Sequence, residues 1–450
     1  MRVTRLLNVM HYPRPNTPAP RGTIVPRTLT PFAKASKQSA TPQLATINRT
    51  LVPGWTCSTH VFRATAPRES APPSSAARVT APAEMTKAER LDLAEAKYSE
   101  ITQLRQEIAL GKTFPVNDAT MWMVANRYAP DKPRVSASPA VTVLLSHATG
   151  FHKEIWETTL RYLLSTSGHA HIDEIWALDA ANHGDSALFN KDSLGDIFEW
   201  SDHARDILNF LANYLPDKVE PQERSLSQIP EQSTRQRLEH GFTHRTLVGI
   251  GHSFGGCTLA RAGIESPKLF SSIILVDPVI YPSYAIRAPG NNSLTKGALA
   301  RRDHWPDRKS AQAGFLASPF FRAWHPDVLT DYINHGIVQD DQGVRLKCSG
   351  YQASLRAVTF GENSRLPCEV WELLPTLDER IPIKWIMDSD KAGVTGGPEF
   401  TQHTVWRRAA NAANVRIKGA GHLIPQEAPE ALAREIYDFI QKHHTAKSKL

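Results

Sequence analysis

Leu247-Val248-Gly249-Ile250-Gly251-His252-Ser253-Phe254-Gly255-Gly256-Cys257-Thr258-Leu259-Ala260 is the stretch whose reading decides the fold. A short apolar run leads in, a helix-forming run leads out, and Gly-x-Ser-x-Gly lies between them. Strand, sharp turn and helix in that order make a nucleophile elbow. Such a turn holds its serine in a strained conformation. It also brings strand and helix so close that a side chain at Gly251 or Gly255 would collide. The Ser253 hydroxyl is thereby presented at the carboxyl end of a strand. The motif alone is common, so its weight rests on a general base, oxyanion donors and an acid elsewhere in the chain.

Working outward, several short apolar runs read as strands: 121–125, 140–145, 174–179, 272–277, 382–387 and 414–418. Helical patterns fall between them. Thr86 to Leu110 begins with a capping-box spacing, Thr86 and Glu89. Residues 196–215 carry an apolar face, and a last helix runs from Pro429 to about Gln441. Residues 216–244 form a polar insertion, too long for an ordinary connection and expected to be mobile. About 100 residues separate Asp277 from the strand at 382. They read as short helices rich in aromatics, with Trp305, Phe315, Phe320, Phe321 and Trp324 expected mainly to pack on one another.

The ends of the chain differ from its middle. The formal net charge is +7, but residues 1–68 hold ten Lys or Arg and no Asp or Glu, so the remainder carries −3. The basic balance belongs to the tail, which argues against a nucleic-acid face on the folded body. Residues 1–84, rich in Pro, Ala, Ser and Thr, are expected to be disordered. They read either as a transit peptide, which would bring mitochondrial dual targeting, or as an extension upstream of a start at Met85. No run is apolar enough to span a membrane. The four cysteines show no paired spacing, so neither a disulfide framework nor a metal site is expected. The chain ends in Ser448-Lys449-Leu450, a tripeptide read by the peroxisomal import receptor. That end predicts a place in the peroxisomal matrix.

Beside the elbow stand three further motifs. Ser146-His147-Ala148-Thr149-Gly150-Phe151-His152-Lys153-Glu154-Ile155-Trp156 follows one strand, and Asn182-His183-Gly184-Asp185-Ser186 follows the next. Gly419-Ala420-Gly421-His422-Leu423 follows the last. Together these resemble the α/β-hydrolase superfamily over about residues 114–442. The stretch around His147 and the Ser-Lys-Leu ending resemble a fungal group within it. That group holds hydrolases related to the yeast peroxisomal lipase and to an AK-toxin biosynthesis enzyme. Segments 302–308 and 344–348 are similar to the same group.

The resemblance implies a mostly parallel sheet flanked by helices, with a helical lid between the sixth and seventh strands. On that plan residues 85–280 and 382–442 make the core, 281–381 the lid and 443–450 the targeting tail. Ser253 is the nucleophile and His422, on the loop after the last strand, is the base. The amides of Thr149 and Phe254 are the oxyanion donors, and His147 and the Asn182–Ser186 loop are structural. Two acids compete. Asp390 follows the penultimate strand but lacks the glycine usual there; Asp277 ends the strand after the elbow unit. Both stay candidates, and Asp277 is the one that fits the fungal group. The implied activity is a serine hydrolase cleaving an ester or thioester of a lipid-like or polyketide-like acyl substrate, with no cofactor. Its setting would be lipid metabolism or toxin or secondary-metabolite biosynthesis. Carbon–carbon bond hydrolysis and a non-catalytic binding role are the alternatives.

Overall fold

The computed structural model describes residues 10–20, 24–31, 41–42, 48–72, 85–132, 140–165, 172–195, 197–219, 226–285, 293–348, 365–389 and 397–444. Arg49–Val52 (β1) and Trp55–Arg63 (β2) form a hairpin, and Trp122–Pro130 (β3) runs antiparallel beside β2. Ala140–Ser146 (β4), Glu174–Leu178 (β5), Arg245–His252 (β6) and Ser272–Val276 (β7) follow. His304–Trp305 (β8), Ile337–Asp340 (β9) and Gly343–Leu346 (β10) make a separate small sheet. Ile383–Met387 (β11) and Ala412–Arg416 (β12) complete the large sheet. Its nine strands run in the order β1-β2-β3-β5-β4-β6-β7-β11-β12. From β5 to β12 all neighbours are parallel; β1, β2 and β3 are antiparallel additions at one edge.

A parallel sheet must be covered on both faces, so its central strands are mostly apolar. Alternate residues feed two cores. Leu247, Ile273, Leu275 and Trp385 point into one; Val248, Ile274, Val276 and Ile386 point into the other. The helices are Lys87–Ala109 (α1), Glu157–Ser165 (α2), Gly184–Phe189 (α3), Trp200–Asn209 (α4), Glu231–His240 (α5) and Phe254–Glu265 (α6). Thr86 caps α1 with Glu89 in the expected reciprocal box. The polar segment 216–244 is not all loop. Within it α5 docks by Arg237, whose guanidinium donates to the carbonyls of Leu211 and Leu215 at 2.8 Å each.

The segment expected to be disordered enters the fold at several places. In β2, apolar Trp55, Cys57, Val61 and Phe62 are buried and Thr56, Ser58 and Thr59 are half-buried. Pro- and Ser-rich flanks dilute that short signal in a composition count. The acid-free charge also has partners, which lie far off in sequence. Arg27 pairs with Glu369 at 2.7 Å, Arg49 pairs with Glu157, and buried Arg68 meets Asp206 at 2.9 Å. Thr65 and Ser70 donate to Asp206 and Asp202 of α4. Met10 to Pro13 lies along the free edge of β12, where the Met10 carbonyl accepts from Arg416 N–H at 2.7 Å. An open edge invites foreign strands, and this cover blocks it.

Between β7 and β11 the chain leaves the large sheet. Here Ser293–Leu299 (α7) packs on α1, while Arg308–Ala317 (α8) and Pro326–Gly336 (α10) pack on the sheet β8-β10-β9 and Pro319–Arg322 (α9) packs on α8. Helices alone were expected here. These strands leave no period in the sequence, because Val344-Arg345-Leu346 is too short for its alternation to register. Trp305, Phe315, Phe321 and Trp324 are buried together, whereas Phe320 is 52 % exposed. Helix Arg365–Leu373 belongs to the core, packing Cys368, Val370 and Trp371 with Leu259 and Ala262 of α6. In chain order the insertion lies between β7 and β11, the seventh and eighth strands of the large sheet. At the C-terminus the last helix continues to His444 rather than ending near Gln441.

A chain beginning at Met85 lacks β1 and β2, opens the β3 edge and strips buried Asp202 and Asp206 of Arg68. Breaking a buried ion pair from one side is strongly destabilising. Truncation is expected to lower the melting temperature by on the order of 10 °C or to abolish soluble expression. Scanning calorimetry of the two chains decides this, and identical transitions would contradict it.

Candidate active site

Ser253 sits between β6 and α6 with φ 55 and ψ −117, a conformation L-residues avoid at a cost of about 1–3 kcal/mol. The surroundings impose it. Ser253 N–H donates to Val276 O at 3.0 Å, and Ser253 O accepts from Val279 N–H at 3.1 Å. The glycines are equally constrained. A Cβ on Gly251 would lie 2.5 Å from Gly255 O, and one on Gly255 would lie 2.4 Å from Ser146 O. The second contact shows that the loop after β4 crosses directly over the first turn of α6.

Two loops then converge on the serine. His422 Nε2 lies 2.9 Å from Ser253 Oγ, and His422 Nδ1 lies 2.5 Å from Asp277 Oδ2. A carboxylate only accepts, so Nδ1 carries the ring proton and Nε2 is left as the acceptor facing the hydroxyl. Asp277 follows β7 with φ 37 and is 3 % exposed, and its own N–H is fixed to Ile386 O at 2.8 Å. Asp277 is therefore the carboxylate at His422 among the described residues. Asp390 lies outside them, as do Ser448, Lys449 and Leu450.

The two expected oxyanion donors are the amides of Thr149 and Phe254. Phe254 is buried at the first position of α6, the positive end of the helix dipole. Thr149 lies in the turn after β4. The next two amides are occupied: Gly150 N–H donates to His183 Nε2 at 2.8 Å and Phe151 N–H to Ala148 O at 3.3 Å. Thr149 N–H has no acceptor among the described residues. His147 is buried and braces the loop, Nδ1 donating to Ala148 O at 2.8 Å while Nε2 accepts from Ala180 N–H at 3.2 Å. His183 and His147 thus each receive a main-chain N–H from the other's loop.

The Lys153 cluster was not foreseen. Lys153 is buried, with Nζ 2.9 Å from Asp179, 2.9 Å from Glu154 and 2.5 Å from Asp185. Burial disfavours its charge, but Asp179, Asp185 and Glu154 outweigh that and hold the ammonium protonated well above its usual range. Lys347 of the insertion meets Asp185 at 2.5 Å. The Trp324 and Phe151 rings are tilted at 59° with their centres 5.5 Å apart, and His325 N–H donates to Gln426 O at 2.8 Å. The insertion therefore touches the loop bearing Thr149 and the segment just after His422. Only the charges in His-Lys-Glu hinted at this, and their partners come from loops distant in sequence.

A parallel sheet, a serine elbow and a histidine on the loop after the last strand define the class. Residues 143–435 match the Alpha/beta hydrolase family, and the chain belongs to it. Among its relatives is a type I acyl-CoA thioesterase of Penicillium brevicompactum, 32% identical over 206 residues, 45% of this chain and 41% of that protein. The peroxisomal membrane protein LPX1 of Saccharomyces cerevisiae is 28% identical over 214 residues, 45% of this chain and 50% of that one. An abhydrolase domain-containing protein of Alternaria alternata is 38% identical over 102 residues, 22% and 37% of the two chains. The matches span half or less of these relatives' own length. The solved structure of the yeast peroxisomal alpha-beta-hydrolase Lpx1 superposes with a TM-score of 0.60 at 19% identity, over 88% of this chain and 93% of that one. That likeness shows a shared fold.

Asp277→Asn keeps the shape but presents the wrong hydrogen-bonding partner to His422 Nδ1. Labelling of Ser253 by a fluorophosphonate is expected to slow by about 10³-fold or more. Undiminished labelling in the folded variant would remove Asp277 from the relay.

Proposed function

We propose that the protein is a serine hydrolase cleaving an ester or thioester of a lipid-like or polyketide-like acyl chain. The single observation that carries this reading is the hydrogen-bonded series Ser253–His422–Asp277, with contacts of 2.9 and 2.5 Å. In it Ser253 Oγ attacks the acyl carbonyl while His422 Nε2 takes the hydroxyl proton. Asp277 holds the imidazolium that forms and keeps its orientation. The carbonyl oxygen becomes an oxyanion, held by the amides of Thr149 and Phe254. These donors are fixed before charge develops, which is why they lower the barrier. Collapse expels the alkoxide or thiolate, which leaves with the proton from His422. Water then attacks the acyl-serine, His422 again taking and returning a proton.

The name of the Penicillium relative favours a thioester substrate; the yeast relative's name favours a peroxisomal setting, in keeping with the Ser448–Leu450 ending. The insertion is assigned the role of a lid. It is pinned to both loops at the site, so it can shield the acyl-enzyme from bulk water. The chemistry suits lipid turnover and the release of secondary-metabolite or toxin intermediates alike.

The full chain is expected to hydrolyse acyl-CoA thioesters and p-nitrophenyl esters of graded chain length. Ser253→Ala should lower kcat by about 10⁴–10⁶ with the fold intact. Turnover retained by that variant would overturn the reading. Deleting Ser448–Leu450 is expected to move a fluorescently tagged chain from peroxisomes to the cytosol; unchanged punctate fluorescence would refute the targeting assignment.

A further inference from the structure

We infer that His252, the residue between Gly251 and the nucleophile, is a positioning residue that fixes the main chain of His422 to the elbow. This rests on the reading of Ser253, His422 and Asp277 as the reacting set. His252 ends β6 and is fully buried. Its Nε2 lies 2.8 Å from the main-chain oxygen of His422, and the two rings are 5.3 Å apart at 43°. A carbonyl oxygen can only accept, so His252 Nε2 carries a proton. Nδ1 is buried with no hydrogen-bond partner among the described residues. A proton added there would be a buried, unpaired donor, which is costly.

His252 therefore acts as a neutral donor. Burial, then the neighbouring His422 and His147, push its ionisation well below the usual histidine range. The groups facing it are His422, His147 and, behind His422, Asp277. Neutrality matters for the reaction as well as for the fold. When His422 becomes a cation, a second cation 5.3 Å away would oppose it. The neutral ring supplies a hydrogen bond without that penalty.

The consequence is a two-point attachment. Consecutive residues of the elbow hold the base: Ser253 Oγ meets the His422 ring at 2.9 Å, and His252 holds the His422 carbonyl at 2.8 Å. Nearby on the same loop, Gly421 N–H is tied to Glu427 at 2.6 Å. With the carbonyl released, the imidazole would keep its chemistry but lose its fixed distance from Oγ. A small misplacement of this kind can cost about 10² in rate without altering substrate binding.

The test compares His252→Phe, which keeps a ring but has no donor, with His252→Gln, whose amide N–H reaches about as far as Nε2. In the full chain, His252→Phe is expected to lower kcat by about tenfold to a hundredfold with KM within about twofold. It should also weaken the downfield proton resonance of the His422–Asp277 hydrogen bond. His252→Gln should restore kcat to within about threefold of the parent, together with the resonance. A folded Phe variant with parental kcat and resonance, or a folded Gln variant as impaired as Phe, overturns the proposal. Should the Phe variant not fold, ¹⁵N-histidine NMR of the parent chain decides. His252 should show a protonated Nε2 and a bare Nδ1, unchanged between about pH 5 and 8; titration in that range, or the other tautomer, overturns it. These spectra do not depend on turnover, so their failure is distinct from that of the hydrolase reading, which rests on Ser253→Ala.

Discussion

The contact between the loop after β4 and the first turn of α6 is the constraint on which the site depends. With Ser146 O 2.4 Å from where a Cβ on Gly255 would stand, only glycine allows the two backbones to meet. That approach fixes the loop bearing Thr149 against the start of α6, where Phe254 lies. The same turn forces Ser253 to positive φ and lifts its hydroxyl toward the histidine. The strain is maintained by hydrogen bonds to the end of β7 and the loop after it: Ser253 N–H donates to Val276 O, and Val279 N–H donates to Ser253 O. Strain at such a point persists only when the surrounding structure over-determines it, and two buried cores and a parallel sheet do so here.

Much of this was legible in the sequence because it is local. The elbow, the strand before it and the helix after it are contiguous, and their glycines have a steric reason that needs no tertiary knowledge. His422 was found by its place after the last strand. The acid was not decided in the same way. Asp277 and Asp390 both end strands, and only the three-dimensional path of β7 places Asp277 Oδ2 at His422 Nδ1. The contact of His252 with a main-chain carbonyl 170 residues away leaves no trace in residue type or spacing. The Lys153 cluster is hidden similarly, since Asp179 and Asp185 come from the connection after β5 and Lys347 from the insertion.

The N-terminal region shows why composition misled. An acid-free, proline-rich stretch reads as a tail when it is judged alone. Arg27 and Arg49 pair with carboxylates on the body, and Arg68 lies fully inside, between Asp202 and Asp206. Charge balance was satisfied across the fold and not along the chain. The insertion teaches the converse. Its aromatic content was read correctly as self-packing, yet the strands β8, β9 and β10 were too short for their period to show.

The measurement that bears most directly on the account is the site of acylation. The full chain would be mixed with an activated acyl ester, quenched in acid within the first turnover, and its peptides analysed by mass spectrometry. One acyl group is expected, carried on Ser253 and absent from the Ser253→Ala variant. An acyl group on another residue, or turnover with no covalent intermediate on Ser253, would contradict it.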